Sequence, residues 1–143
     1  MWRIRKLRND IQGILGIPND NINRDTENIN ELFITASLAV SSGRYQDAID
    51  NDDKIVTSDP NNKNVLLNKG TALAGLKKYD EAIENFDKVL AIDPNLVEAL
   101  FNKGFALAAI KKNDEAIEYL DKVLAIDPND KAALEMKNII SDK

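Results

Sequence analysis

Residues 63–96 read KNVLLNKGTALAGLKKYDEAIENFDKVLAIDPNL, and residues 97–130 follow at once with VEALFNKGFALAAIKKNDEAIEYLDKVLAIDPND. Each block is 34 residues long, and the two agree at 23 positions. Self-similarity at a fixed period of this size marks a chain in which one supersecondary unit stacks on the next, since a single unit cannot bury its own apolar face.

Inside a block the apolar pattern is helical twice over. Leu66, Gly70, Leu73 and Leu76 recur at spacings of three and four, Lys77-Lys78-Tyr79-Asp80 interrupts the run, and Ala82, Ile83, Phe86, Val89, Leu90 and Ile92 resume it. Asp80 and Asp114 are predicted N-caps of the second helices. Asp93-Pro94-Asn95 ends the second helix, because proline disfavours helical backbone in the residue before it. Each unit is therefore two antiparallel helices joined by a short turn. Gly70 with Ala82, and Gly104 with Ala116, are small residues placed where the two helices must approach closely.

Counting back one period exposes a third, more diverged copy over residues 29–62. Leu32, Ala36, Tyr45, Ala48, Ile49, Ile55 and Pro60 fill the slots of Leu66, Gly70, Tyr79, Ala82, Ile83, Val89 and Pro94. After Asp130, KAALEMKNIISDK begins a fourth copy and stops, so residues 131–143 are expected to form one capping helix over the last apolar face. Upstream, Ile4, Leu7, Ile11 and Ile14 make a short amphipathic helix over residues 1–15, with Arg3, Arg5, Lys6 and Arg8 mostly off the stripe. Residues 17–28, IPNDNINRDTEN, read as a polar linker, since asparagine and aspartate compete for local backbone groups. The division is thus 1–28 (basic helix and linker) and 29–143 (repeats 29–62, 63–96 and 97–130 with the cap). The fold class is all-α: a superhelical solenoid of three helix pairs, a C-terminal capping helix and a short N-terminal helix.

Composition removes several kinds of chemistry. With 43% apolar and 30% charged residues among 143, the chain can form an ordinary globular core. It has no cysteine and no histidine, so it offers no disulfide, no thiolate or imidazole metal site, and no Ser-His-Asp triad. A net charge of −5 opposes non-specific binding to nucleic acid. The longest apolar runs fall short of the roughly 20 residues that span a bilayer, which argues against a membrane protein. The first ten residues lack the apolar segment of a secretory signal, so the expected location is cytoplasmic.

Two motif-like strings resolve into their surroundings. Asn19, Asn21 and Asn23 open like a calcium loop, but Arg24 stands where that loop needs glycine and Asn30 where it needs a bidentate glutamate. Gly70 to Lys77 has the glycine spacing of a phosphate loop, but Leu76 occupies the lysine position and no strand precedes it. Asp80-Glu81 and Asp114-Glu115 recur with the period, which suits solvated helix starts rather than an acid/base pair. No catalytic residue, cofactor or metal site is expected, and the chain is not read as an enzyme.

A helix pair of period 34 with Leu66, Gly70 and Leu73, then Ala82, an aromatic at Phe86 and Pro94, resembles the tetratricopeptide repeat. The resemblance covers residues 29–143. It implies a right-handed superhelix whose first helices line a concave groove, and a scaffold or peptide-binding role. Lys69 and Lys103 depart from the family, which places a large apolar residue before the glycine; their stems are expected to pack while the ammonium groups reach solvent. Asp52 departs as well, standing in the slot of Phe86 and Leu120, and is expected either to pair with a lysine such as Lys69 or to sit exposed.

The groove positions implied by the resemblance are Asn30, Phe33, Ser37 and Val40; Asn64, Leu67, Asn68, Thr71 and Ala74; then Glu98, Phe101, Asn102, Phe105 and Ala108. Family members that hold the acidic C-termini of heat-shock chaperones use a clamp of lysine, asparagine, asparagine, lysine and arginine. Phe33, Ser37, Asn68, Glu98 and Asn102 occupy those slots, and only Asn68 matches. A carboxylate needs cations or several donors, so no such clamp is expected. The candidate ligand groove is Phe33, Leu67, Asn68, Thr71, Phe101, Asn102 and Phe105, an apolar floor with asparagines able to bond a ligand backbone. It suits a partner peptide or helix, or the Ile4, Leu7 and Ile11 stripe folded back. The alternative is self-assembly into homo-oligomers by end-to-end stacking. The polar residues Asp130, Lys131, Glu135, Lys137, Asn138, Asp142 and Lys143 of the cap point to a monomer.

Overall fold

In the computed structural model, residues 24–142 are described, and they form seven helices with no strand among them. These are α1 (Arg24–Ser41), α2 (Tyr45–Ser58), α3 (Lys63–Gly75), α4 (Tyr79–Ile92), α5 (Val97–Ala109), α6 (Asn113–Ile126) and α7 (Lys131–Ser141). The contacts divide the chain after Glu31, and of the unit that ends there the described residues are opening turns of α1. The helix expected over residues 1–15 lies outside the described residues. Arg24 to Asn28, read from sequence as the end of a linker, are helical; the turn preference of asparagine and aspartate is a local bias that propagation of a helix overrides.

From Leu32 onward, each helix packs on the next in chain order, which gives the stacked helix pairs of an all-α superhelix. The turns inside the pairs share one geometry. Lys77 N–H donates to the Ala74 carbonyl and Lys78 N–H to that of Leu73, and the same two bonds recur at Lys111 and Lys112 and at Gly43 and Arg44. This double closure of a helix end requires a left-handed residue at its centre. Gly43, Lys77 and Lys111 hold it, with φ of 74°, 61° and 69°. The second helices start two residues earlier than the aspartates suggest: Lys78 and Lys112 are the N-cap residues, without a side-chain cap bond, and Asp80 and Asp114 lie in the first turn. The tight turn sets that register, and the carboxylates act there on the positive end of the helix dipole. Asn62 and Asp130 do cap α3 and α7, accepting from the backbone N–H of Val65 and Ala133.

Core packing explains the glycines. A Cβ on Gly70 would stand 2.6 Å from the Phe86 ring, and one on Gly75 2.5 Å from the Tyr45 ring. Both glycines of the phosphate-loop-like string are thus seats for aromatic rings. Gly104 faces the smaller Leu120 and the Ala116 carbonyl at 3.4 Å. Phe86, Leu120, Val89 and Val123 are fully buried, each worth about 1.5–3 kcal/mol in apolar transfer.

Between pairs runs a ladder of ion pairs with the period of the sequence. Lys69 on α3 reaches Asp53 on α2 at 2.6 Å, Lys103 on α5 reaches Asp87 on α4, and Lys137 on α7 reaches Asp121 on α6 at 2.6 Å. The lysines before the glycines therefore end on carboxylates of the preceding unit rather than in bulk water. Lys103 is the most enclosed, with 12% of its side chain exposed and a second bond to the Tyr119 hydroxyl at 2.8 Å. Burial alone would lower its ammonium pKa, but the bonds to Asp87 and Tyr119 outweigh it and raise the group above its ordinary value.

Candidate functional site

The first helix of each pair presents one face to two adjoining concavities. The first, about 460 Å³, is walled by Phe33, Ser37 and Val40 of α1, Leu67, Asn68 and Thr71 of α3, and Glu98 of α5. The second, about 370 Å³, is walled by Thr71 and Ala74 of α3, Tyr79 of α4, and Phe101, Asn102 and Phe105 of α5, with Lys77 at its border. Thr71 belongs to both. All seven residues singled out from sequence line one or the other: Phe33, Leu67 and Asn68 the first, Phe101, Asn102 and Phe105 the second, and Thr71 their common wall. Phe105 is 41% exposed and meets the Tyr79 ring edge to face at 6.3 Å between centroids.

A third concavity of about 470 Å³ continues the surface past Phe105 and Ala108 to Met136 and Ile139 of α7, with Lys111 beside it. Met136 and Ile139 fall one period after Asn102 and Phe105. Sequence reading treated α7 only as a cover and passed over them, although one more step of the same count reaches both. Tyr79 was missed because its slot belongs to a second helix, and only the fold turns its ring toward Phe105.

The two asparagines are less free than their positions suggest. Asn102 donates to the Thr71 hydroxyl at 3.4 Å, and that hydroxyl donates to the Leu67 carbonyl at 2.9 Å. Asn68 donates to Asp52 Oδ2 at 2.7 Å. Asp52 is fully buried at the junction of α2 with α3, so the expectation of a lysine partner or an exposed carboxylate is corrected. Its partner is the Asn68 amide, and Lys69 goes to Asp53 instead. Consecutive helical residues point about 100° apart, so only one of the two neighbouring aspartates can face the core. Burial drives the Asp52 carboxyl from 3.8 up to about 7; the Asn68 bond opposes the rise, Asp53 adds to it and Lys69 opposes it. Its second oxygen, Oδ1, has no hydrogen-bond partner.

Among the described residues no cluster of carboxylates has the spacing to hold a metal ion. No described helix is long and apolar enough to cross a membrane. Stacked helix pairs of period 34 with a lined concave face define an all-α repeat protein. Two tetratricopeptide repeat models match the sequence, one over residues 33–97 and one over residues 73–138. The chain belongs to the tetratricopeptide repeat family.

None of the curated proteins matches it. Among solved structures, the first repeat domain of Spaghetti (RPAP3), bound to the HSP90 peptide SRMEEVD, is 27% identical, with a TM-score of 0.77 over 81% of this chain and 92% of that one. The first repeat domain of human RPAP3 is also 27% identical, with a TM-score of 0.75 over 80% and 90%. A MamA double mutant is 28% identical, with a TM-score of 0.75 over 80% of this chain and 65% of that one.

Proposed function

We propose that the chain is a non-catalytic protein-interaction module that holds a partner peptide or helix along the concavities between Phe33 and Phe105. The observation that carries this reading is the pair of apolar concavities joined at Thr71, one edge of which leaves the Phe105 ring substantially exposed. Exposed aromatic surface in a concave, polar-rimmed setting is characteristic of a binding site. The neighbouring Spaghetti domain, which holds a chaperone peptide on the same fold, supports a protein partner. Phe33, Ser37 and Glu98 in the clamp slots argue for a ligand other than an acidic chaperone tail. Affinity capture from a lysate with the wild-type chain and with Phe101→Glu/Phe105→Glu tests the reading. Partners retained by the first bait and lost by the second support it; identical recovery overturns it.

One observation favours self-assembly as a second reading. Leu66 and Leu100 are 3% and 2% exposed beneath the following pair, whereas Leu134, in the same slot of α7, is 41% exposed. Light scattering across micromolar concentrations of wild type and Leu134→Glu distinguishes the two. A dimer lost in the variant supports stacking, and a monomer at all concentrations removes it.

A further inference from the structure

We propose that the partner segment is cationic where it meets α1 and α3: a lysine or arginine side chain enters the Phe33–Leu67 concavity, and a neighbouring apolar or aromatic side chain enters the one at Phe101 and Phe105. This rests on the groove reading above and specifies its ligand.

The first concavity presents acceptors and one carboxylate beside the Ser37 hydroxyl and the Asn64 and Asn68 amides. One N–H of the Asn68 amide is taken by Asp52, which leaves the amide oxygen and the other N–H for a ligand. The Thr71 hydroxyl donates to the Leu67 carbonyl and accepts from Asn102, and the Ser41 hydroxyl donates to the Ser37 carbonyl, so neither has a proton left for a ligand while each keeps acceptor capacity. Among the described residues Glu98 is the one charged residue in the wall; it is exposed, and no described lysine or arginine is paired with it. The lysines that approach the surface, Lys77 and Lys111, border the second and third concavities and not the first.

A carboxylate entering between Phe33 and Asn68 would meet one like charge and, among the described residues, no cation in the wall. A guanidinium or ammonium, which has donors and no acceptor, finds the reverse. The Phe33 ring adds a face that attracts a cation. The net charge of −5 speeds the approach of a basic segment over the whole surface. Next door, Tyr79, Phe101 and Phe105 make an apolar seat with Lys77 at its edge, so the aromatic anchor and the cation are held side by side across Thr71.

Selection from a displayed library of random peptides on the full chain, followed by titration of the enriched sequences and of SRMEEVD, is the test. The inference expects Arg or Lys enriched beside an aromatic or large apolar residue. It also expects binding of these peptides to weaken at least tenfold in Glu98→Lys, and SRMEEVD to bind at least tenfold more weakly than they do. Glu98 is exposed, so its replacement leaves the core intact, and circular dichroism confirms folding of each variant. Enrichment of Asp or Glu, or equal binding to Glu98→Lys, overturns the charge assignment while groove binding stands, provided Phe105→Asp abolishes capture. No enrichment on folded protein, or enriched peptides that bind Phe105→Asp unchanged, overturns the groove reading and the charge assignment together.

Discussion

Lys103 on α5 hydrogen-bonds Asp87 on α4, and the same contact is made one period earlier by Lys69 with Asp53 and one period later by Lys137 with Asp121. Every junction from the first pair to α7 is thus fastened by one lysine lying over the preceding unit. Exposed ion pairs contribute little, about 0–1 kcal/mol. Lys103 is enclosed enough to fall at the top of that range, because water screens it less. Lys103→Met, which keeps the apolar stem, is expected to lower the unfolding free energy by about 1 kcal/mol. The reversal Lys103→Glu with Asp87→Lys should restore most of it. Urea unfolding checks both, and the effect should shrink in about 1 M salt.

Replacing Asp52 by leucine, the residue of the same slot at Leu120, is expected to stabilise the protein in a pH-dependent way. The folded chain keeps the Asp52 proton up to about pH 7, whereas the group ordinarily releases it near 3.8. Between these values the folded state binds more protons than the unfolded one, so the wild type loses stability as pH rises, with the full penalty present above pH 7. That penalty is at most on the order of 4 kcal/mol. Asp52→Leu should gain about 2 kcal/mol or more near pH 8 and progressively less toward pH 4, as read from unfolding curves across pH. An equal gain at both ends would show that the carboxyl does not titrate in this window.

Gly70→Ala and Gly104→Ala are expected to behave differently although the residues are repeat equivalents. At Gly70 the new methyl collides with the Phe86 ring, while at Gly104 it meets Leu120 and a carbonyl at 3.4 Å. The first should cost about 1–3 kcal/mol, as overpacking does, and the second under about 1 kcal/mol, since alanine also favours helix. Phe86→Leu in the Gly70→Ala background should recover part of the loss. Thermal unfolding of the three variants is a sufficient measurement.

Lys77→Gly should stabilise, since an L side chain at φ 61° is strained and glycine is not. An increase of about 1 kcal/mol is expected, the cost per residue of left-handed backbone. Gly43→Ala should destabilise by a similar amount for the same reason. An unchanged midpoint in both would show that the turn relaxes around its occupant.

The helix pairs were legible in sequence because two nearly identical copies display the apolar period, and a shared period fixes where Leu66, Leu100, Ala82 and Ala116 must lie. The column of residues that line the concavities was legible for the same reason. Charges were harder. The count by 34 that aligns leucines also aligns Asp53, Asp87 and Asp121, and Lys69, Lys103 and Lys137, yet nothing in one chain's spacing says that the two columns touch. Which of Asp52 and Asp53 turns inward depends on a rotation set by how α2 lies on α3. Whether Asn68 offers a donor or an acceptor depends on its neighbour in another helix. The turn that caps α4 at Lys78 rather than at Asp80 follows from backbone handedness at Lys77, which no side-chain preference announces.

Asp52 also gives the array a direction of unzipping. In a linear stack, each unit is held only by its neighbours, so opening begins at the weaker junction and travels. The α4–α5 junction is sealed by Phe86 and the α6–α7 junction by Leu120, while the equivalent place between α2 and α3 holds a carboxyl with one unpaired oxygen. Backbone amides of α2 should therefore exchange with solvent sooner than those of α4 and α6, and the difference should narrow as Asp52 takes up its proton.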